Sequence, residues 1–102
     1  MKISFDIDGV LDTEAGLELA KRLIKSNNRV YIITARQERF SDEVYAIAKE
    51  LGIPKLMVYF TGGEDKWKTI KRLGIERHYD NNQEQIQKIN DNTEALGIIF
   101  KS

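Results

Sequence analysis

Two aspartates, Asp6 and Asp8, stand one residue apart at the end of the first apolar segment of the chain. Alternate residues of a strand point to the same side, so an extended backbone would hold these two carboxylates next to each other. Such a pair is tolerable if a divalent cation lies between the carboxylates, or if the chain turns there. Gly9 gives the backbone the freedom to turn. A bare Asp-x-Asp is more often two solvated side chains that end a strand, so the other polar positions decide its meaning.

Five apolar segments are predicted to form strands, with amphipathic helices between them. The strands are expected at Lys2–Ile7, Arg29–Thr34, Leu56–Phe60, Arg77–Asp80 and Ala95–Phe100. The helices are expected at residues 17–24, 44–51, 64–73 and 82–89, where apolar residues recur at helical spacing or a glycine marks the end. Strand and helix alternate throughout. This alternation predicts a single α/β domain over residues 1–102, with a five-stranded parallel sheet between two layers of helices.

In such a sheet, ligands bind beyond the carboxyl ends of the strands. The residues at the predicted ends are all polar or glycine, namely Asp6, Asp8, Thr34, Thr61, Gly62, Gly63, Asp80 and Asn81. Three carboxylates among them, Asp6, Asp8 and Asp80, suit Mg²⁺, which prefers oxygen ligands. Thr34 offers a hydroxyl donor and Lys66 a positive charge. Donors, a cation and a metal around one carboxylate are what a phosphoryl group requires.

Four motifs at these positions resemble, in order, those of the haloacid dehalogenase superfamily of phosphohydrolases. They are Phe5–Leu11 (FDIDGVL), Ile32–Arg36 (IITAR), Lys66 and Tyr79–Asn81 (YDN). The resemblance implies the Rossmann-like fold of that family, with strand order 5-4-1-2-3. It also implies that Asp6 is a nucleophile that forms an aspartyl-phosphate, and that Asp8 is the general acid and then the base. The dehalogenase branch lacks the second aspartate, so a phosphatase is favoured.

The same resemblance implies roles for the remaining site residues. Thr34 would donate a hydrogen bond to a phosphoryl oxygen, and Lys66 would steady the nucleophile and the phosphate. Mg²⁺ would be bound by Asp6, Asp80 and the backbone carbonyl of Asp8. Lys68 is a rival for Lys66, which is preferred because it lies seven residues before Leu73.

Three further residues beside the motifs have more than one interpretation. The fourth motif of the family often has two acids, and Asn81 in the second place is expected to alter metal affinity without abolishing activity. Arg36 either contacts the substrate or is solvated. His78, the single histidine, is expected to have a structural or surface role rather than a catalytic one.

Larger members of the family carry a cap domain, for which this chain has no room after the first motif or after the third strand. The resemblance therefore implies a capless enzyme, whose substrate or a second copy of the chain covers the site. Its substrate would be a phosphorylated small molecule or a nucleic-acid end. Sixteen basic residues balance sixteen acidic ones, so net charge does not favour nucleic acid. The absence of cysteine excludes disulfides and thiolate metal sites, and no long apolar run predicts a membrane span. A cytoplasmic protein is expected.

Two other functions remain open from the sequence. The first is a catalytically weak module that binds phosphate or metal and serves a partner protein, which the small size and Asn81 favour. The second is a receiver-like phosphoacceptor domain, which shares the parallel α/β architecture and an acidic site. An Asp-x-Asp that closes the first strand fits the second function poorly.

Overall fold

Strands and helices alternate along the chain in the computed structural model, which describes residues 1–101. The strands are β1 (Lys2–Phe5), β2 (Arg29–Thr34), β3 (Val58–Phe60), β4 (Arg77–Asp80) and β5 (Leu96–Ile99). The helices are α1 (Glu14–Lys25), α2 (Asp42–Leu51), α3 (Trp67–Leu73) and α4 (Gln83–Asn92). The predicted α/β class is confirmed.

All five strands run parallel in one sheet, in the order β3-β2-β1-β4-β5. Counted from the opposite edge the same order reads 5-4-1-2-3, so each strand has the neighbours that the resemblance implies. β1 is central, and its last residue, Phe5, lies opposite Ile32 of β2 and Tyr79 of β4. The carboxyl end of β1 is therefore flanked by the carboxyl ends of β2 and β4.

Each face of the sheet has its own apolar cluster. On one face, Ile3, Phe5 and Ile32 pack with residues of α1 and α2, such as Ala20 and Val44. On the other face, a second cluster comprises Tyr31, Ile33, Ile70, Ile75, Ile89 and Ala95, two of them from α3 and α4. The helices thus form a layer on either side of the sheet. None of the helices in residues 1–101 is both long enough and apolar enough to cross a membrane.

Several predicted element boundaries were wrong by two or three residues. β1 ends at Phe5 rather than at Ile7, because the chain turns immediately after Asp6. β3 begins at Val58 rather than at Leu56, because a short 3₁₀ turn follows Pro54. α3 begins at Trp67 instead of Glu64, because Gly62 and Gly63 hold left-handed φ angles of 62° and 90° in the preceding turn. Lys66 occupies the N-cap position of α3, and its side chain forms no capping hydrogen bond there.

The turn that follows β1 spans Ile7–Leu11 and is closed by backbone hydrogen bonds, including one from the Leu11 N–H to the Asp6 carbonyl. Gly9 has a φ of 75°, a conformation that a residue with a side chain adopts only at a cost. A Cβ atom at this position would also lie 2.0 Å from Nδ2 of Asn81. Glycine therefore allows the first and fourth motifs to approach each other closely.

Helix α1 contacts this turn through a second glycine, and we expect Gly16→Ala to destabilise the protein. A Cβ atom on Gly16 would lie 1.8 Å from the backbone carbonyl oxygen of Val10, which cannot move without shifting the turn. Overpacking of this kind typically costs about 1–3 kcal/mol, and it should appear as a lower midpoint of urea unfolding. Ala15→Gly, also in the first turn of α1, is the control. It measures the difference in helix propensity between alanine and glycine at a neighbouring position. Unchanged stability of Gly16→Ala would contradict the close contact.

Candidate functional site

Two aspartates lie side by side at the carboxyl edge of the sheet because of the register between β1 and β4. Phe5 lies opposite Tyr79, and the N–H of Asp6 continues the ladder by donating to the Tyr79 carbonyl at 3.0 Å. The next residues on the two strands, Asp6 and Asp80, therefore become neighbours. Both are buried, with 6% and 0% of their surface exposed. Two adjacent buried carboxylates repel each other strongly unless a positive charge lies between them.

Lys66 supplies that charge. Its Nζ lies 3.0 Å from Oδ1 of Asp6 and 2.6 Å from Oδ2 of Asp80, and the side chain is 3% exposed. One ammonium thus contacts both carboxylates, which places them within reach of a single small cation. The three groups together carry one negative charge when both aspartates are ionised.

Contacts with α4 hold the segment that carries Lys66. The Lys66 N–H donates to Oε1 of Gln85 at 3.1 Å, and Nε2 of Gln85 donates to Oδ1 of Asp65 at 3.0 Å. Lys88, one turn along α4, forms an ion pair with the same Asp65 carboxylate at 3.1 Å. These contacts fix the start of α3 against α4, so the buried lysine has a defined position.

Asp8 lies at the surface and is paired with Arg36 rather than with the buried groups. Nε and Nη2 of Arg36 donate to the two Asp8 carboxylate oxygens at 3.2 and 2.7 Å, and Nη2 also contacts Glu43 at 2.6 Å. The hydrogen bonds from Arg36 hold the pKa of Asp8 below its ordinary value. The Asp8 side chain is nevertheless 59% exposed, so a ligand that reaches this edge can compete for Arg36.

Thr34 ends β2 and is fully buried. Its Oγ1 accepts a hydrogen bond from the Arg36 N–H at 3.2 Å, and its carbonyl accepts one from the Thr61 N–H at 2.9 Å. Its predicted contact with a phosphoryl oxygen stays a prediction. In this structure the hydroxyl stabilises the turn that carries Arg36.

The two buried aspartates have pKa values that move in opposite directions. Burial raises the pKa of Asp6 to about 6, which the charge of Lys66 only partly offsets. Burial also acts to raise the pKa of Asp80, but the hydrogen bond from His78 and the charge of Lys66 outweigh it and hold this pKa well below the ordinary range. At neutral pH Asp80 is therefore firmly ionised, whereas Asp6 ionises only above about pH 6.

We expect Asp6 to titrate with a midpoint of about pH 6 in protein free of divalent cations, because burial disfavours its charged form. Below that pH the carboxyl is protonated and cannot attack as a nucleophile. Carboxyl ¹³C shifts of protein labelled at aspartate, with Asp6→Asn used for assignment, would measure the midpoint. A midpoint near the ordinary value of 3.8 would contradict the described environment.

His78 and Ser4 belong to this cluster, although neither residue was expected there from the sequence. His78 is fully buried, so the surface alternative for this residue was wrong. Its Nε2 lies 2.9 Å from Oδ2 of Asp80, and its Nδ1 lies 2.6 Å from Oγ of the equally buried Ser4. The pattern Ile-Ser-Phe-Asp in β1 carries the signal that could have found Ser4, because a central strand covered on both faces usually reads as a continuous apolar run.

The remaining predicted residues lie outside the buried cluster. Lys68, the rival of Lys66, is exposed, and its Nζ lies 5.7 Å from the centre of the Trp67 ring. Trp67 packs against the core together with Ile70. Asn81 is exposed and lies against Gly9. Of the two lysines, only Lys66 contacts the carboxylates.

The residues present fit a hard divalent cation. No group of three or more His, Cys, Asp or Glu side chains in residues 1–101 is arranged to hold a metal. Mg²⁺, however, is usually held by one or two carboxylates, with water and substrate phosphate completing the shell. Asp6 and Asp80 supply two carboxylates that lie on either side of the same ammonium. The uncompensated negative charge of the cluster also favours a cation.

A cavity of about 820 Å³ opens elsewhere, at the amino end of β4 and β5. It is lined by residues such as Gly74, Ile75, Glu76 and Ala95, and by none of the carboxylates described above. The buried carboxylate cluster therefore lies at the carboxyl edge of the sheet, and not in this cavity.

Comparison with models of known protein families finds no match, and comparison with curated protein sequences finds none either. The candidate function is accordingly argued from the geometry of the carboxyl edge.

Proposed function

We propose that this chain is a Mg²⁺-dependent phosphomonoesterase with the capless Rossmann-like fold of the haloacid dehalogenase superfamily. The observation that carries the proposal is the Lys66 ammonium, buried between the carboxylates of Asp6 and Asp80. Parallel α/β sheets bind ligands at this edge. A cation between two carboxylates, with a third acid nearby, is what phosphoryl transfer to an aspartate requires.

In the proposed reaction, Asp6 attacks the phosphorus atom and the bond to the leaving oxygen breaks. Asp8 gives its proton to that oxygen, which leaves an aspartyl-phosphate on Asp6. A water molecule then attacks the phosphorus, Asp8 takes its proton, and the bond to Asp6 breaks to release inorganic phosphate. Lys66 and the hydroxyl of Thr34 position and neutralise the phosphoryl oxygens.

Mg²⁺ would be held by Asp6, Asp80 and the backbone carbonyl of Asp8, and would neutralise the charge of the phosphate. Asn81 follows Asp80 and can orient water at this place. The remaining steps are carried out by the side chains of the protein. Asp80 is ionised at every pH at which Asp6 is ionised, so it serves as a fixed anion.

The pairing of Asp8 with Arg36 sets a condition on this reaction. An aspartate held by an arginine is ionised and cannot donate a proton, so Arg36 must release Asp8, and Asp8 must take up a proton from solvent, before the first step. An anionic substrate satisfies this condition by taking Arg36 for itself, while Glu43 keeps the guanidinium near the site. The site is open, so the bulk of the substrate or a second copy of the chain must exclude water.

A panel of phosphomonoesters tests the proposal most simply. Nucleotides, sugar phosphates, and oligonucleotides phosphorylated at the 3′ or 5′ end should be compared with and without Mg²⁺. We expect phosphate release from at least one class, and its loss in the presence of a chelator. No release from any of them would contradict the proposal.

The same Arg36–Asp8 pair favours a second candidate, a phosphate- or metal-binding module with little catalysis. If Asp8 stays paired with Arg36 when ligand is bound, the general acid is missing and the first step is slow. Binding of Mg²⁺ or phosphate by a protein that hydrolyses nothing in the panel would support this alternative.

A further inference from the structure

A continuous chain of buried hydrogen bonds leads from β1 to the candidate metal site. Ser4 lies opposite His78 in the pairing of β1 with β4, and both are fully buried. Oγ of Ser4 is 2.6 Å from Nδ1 of His78, and Nε2 of His78 is 2.9 Å from Oδ2 of Asp80. In a sheet covered on both faces, these positions would ordinarily be apolar. Packing alone therefore does not explain why these two positions are polar.

The direction of each hydrogen bond follows from the chemistry of the partners. An ionised carboxylate only accepts, so Nε2 of His78 must carry the proton that it donates to Asp80. A fully buried imidazole is favoured in its neutral form, because burial disfavours charge. In a neutral ring with Nε2–H, Nδ1 is an acceptor, so Ser4 must donate its hydroxyl proton. Asp80 thus sets the tautomer of His78, and the Ser4 hydroxyl holds the ring through its other nitrogen.

A serine, a histidine and an aspartate in contact also describe a nucleophilic triad, which this arrangement excludes. As in a triad, the serine contacts the ring nitrogen distal to the aspartate. The serine of a triad, however, is open to the substrate. Ser4 has no exposed surface and sits within the sheet, two residues before Asp6. It therefore cannot reach a substrate.

We propose that Ser4 and His78 are positioning residues that fix Asp80 for cation binding. Asp80 has three donors on its two oxygens, since Lys66 and His78 contact Oδ2 and the Asn82 N–H donates to Oδ1 at 3.0 Å. Lys66 and the Asn82 backbone lie toward the site, whereas His78 holds the carboxylate from within the sheet. This inference rests on the proposed role of Asp80 as a Mg²⁺ ligand. Partners that orient a ligand typically change metal affinity by about 10–100-fold when removed.

The single histidine makes the tautomer directly measurable. Protein labelled with ¹⁵N at histidine gives one pair of ring-nitrogen signals, which we expect to report a neutral ring with Nε2–H at neutral pH. In Ser4→Ala the ring should keep Nε2–H, because Asp80 still accepts from it, and only the Nδ1 signal should shift, because that nitrogen loses its donor. A wild-type ring with Nδ1–H, or a doubly protonated ring, would overturn the proposed direction of the chain.

Calorimetric titration with Mg²⁺ alone tests the effect on Asp80. Ser4→Ala is expected to bind Mg²⁺ about tenfold more weakly than the wild type, with phosphatase kcat restored at saturating Mg²⁺. Val30→Ala is the control, because it shortens a buried side chain on the opposite face of the sheet and leaves Ser4, His78 and Asp80 unchanged.

The outcomes separate this inference from the proposed function. If the wild type binds Mg²⁺ and Ser4→Ala binds it equally well, the positioning role is wrong and the phosphatase proposal stands. If Val30→Ala weakens binding as much as Ser4→Ala does, general destabilisation explains the loss and the positioning role is again wrong. If the wild type binds no Mg²⁺, the metal role of Asp80 fails and the positioning role fails with it.

Discussion

Asp6→Asn is expected to lower turnover of an aryl phosphate at least a thousandfold, a loss on the order of that seen for essential nucleophiles. The amide has the shape of the carboxylate but cannot form the acyl phosphate. The fold should survive, because the substitution removes one of two negative charges that share the Lys66 ammonium. Urea unfolding should therefore show equal or higher stability at neutral pH, where the buried Asp6 carboxylate is costly.

Asp91→Asn is the matched control for this change. Asp91 is an exposed residue of α4, and the same substitution there should leave turnover unchanged. Substantial activity in Asp6→Asn would show that Asp6 is not the nucleophile. A loss in both variants would point to a trivial cause such as damaged protein.

Lys66→Met is expected to lower turnover by about 100–1,000-fold, the effect of removing one preorganised positive group from a reacting oxyanion. Methionine keeps much of the unbranched stem but leaves two buried carboxylates without the ammonium that contacts both. Removing one partner of a buried ion pair typically costs about 3–5 kcal/mol. The loss in unfolding free energy should shrink as the pH falls, because Asp6 can then become protonated.

Lys68→Met separates the two lysines that the sequence left in competition. Lys68 is exposed and contacts the face of Trp67, so its loss should change neither turnover nor stability by much. Equal loss of turnover in Lys66→Met and Lys68→Met would contradict the assignment of Lys66. Reduced turnover in Lys68→Met alone would reverse it.

The sequence predicted the class of fold and the edge at which polar residues gather, because both depend on local patterns. Alternation of apolar segments and helices predicts a parallel sheet, and parallel strands bring their carboxyl ends to one edge. Asp6 and Asp80 could thus be expected near each other. The start of α3 was misplaced, because two consecutive glycines with left-handed backbones extend a turn that helix periodicity alone cannot detect.

Pairings between distant side chains could not be predicted from these patterns. The contact of Arg36 with Asp8 depends on the path of the loop after β2. The contact of Gln85 with Lys66 depends on how α3 packs against α4. The role of His78 likewise depends on its neighbour in the sheet. Only the register between β1 and β4 reveals that Ser4 lies beside it.

Trapping of the covalent intermediate is the most direct test of the central claim. An acyl phosphate can be reduced by borohydride, which would convert the phosphorylated aspartate to homoserine and mark its position. After an acid quench during turnover with Mg²⁺ and substrate, peptide mass spectrometry should find homoserine at residue 6 in the wild type. Asp6→Asn should show none. Turnover without any modified residue, or modification at Asp8 or Asp80 in place of Asp6, would contradict a phosphatase that works through Asp6.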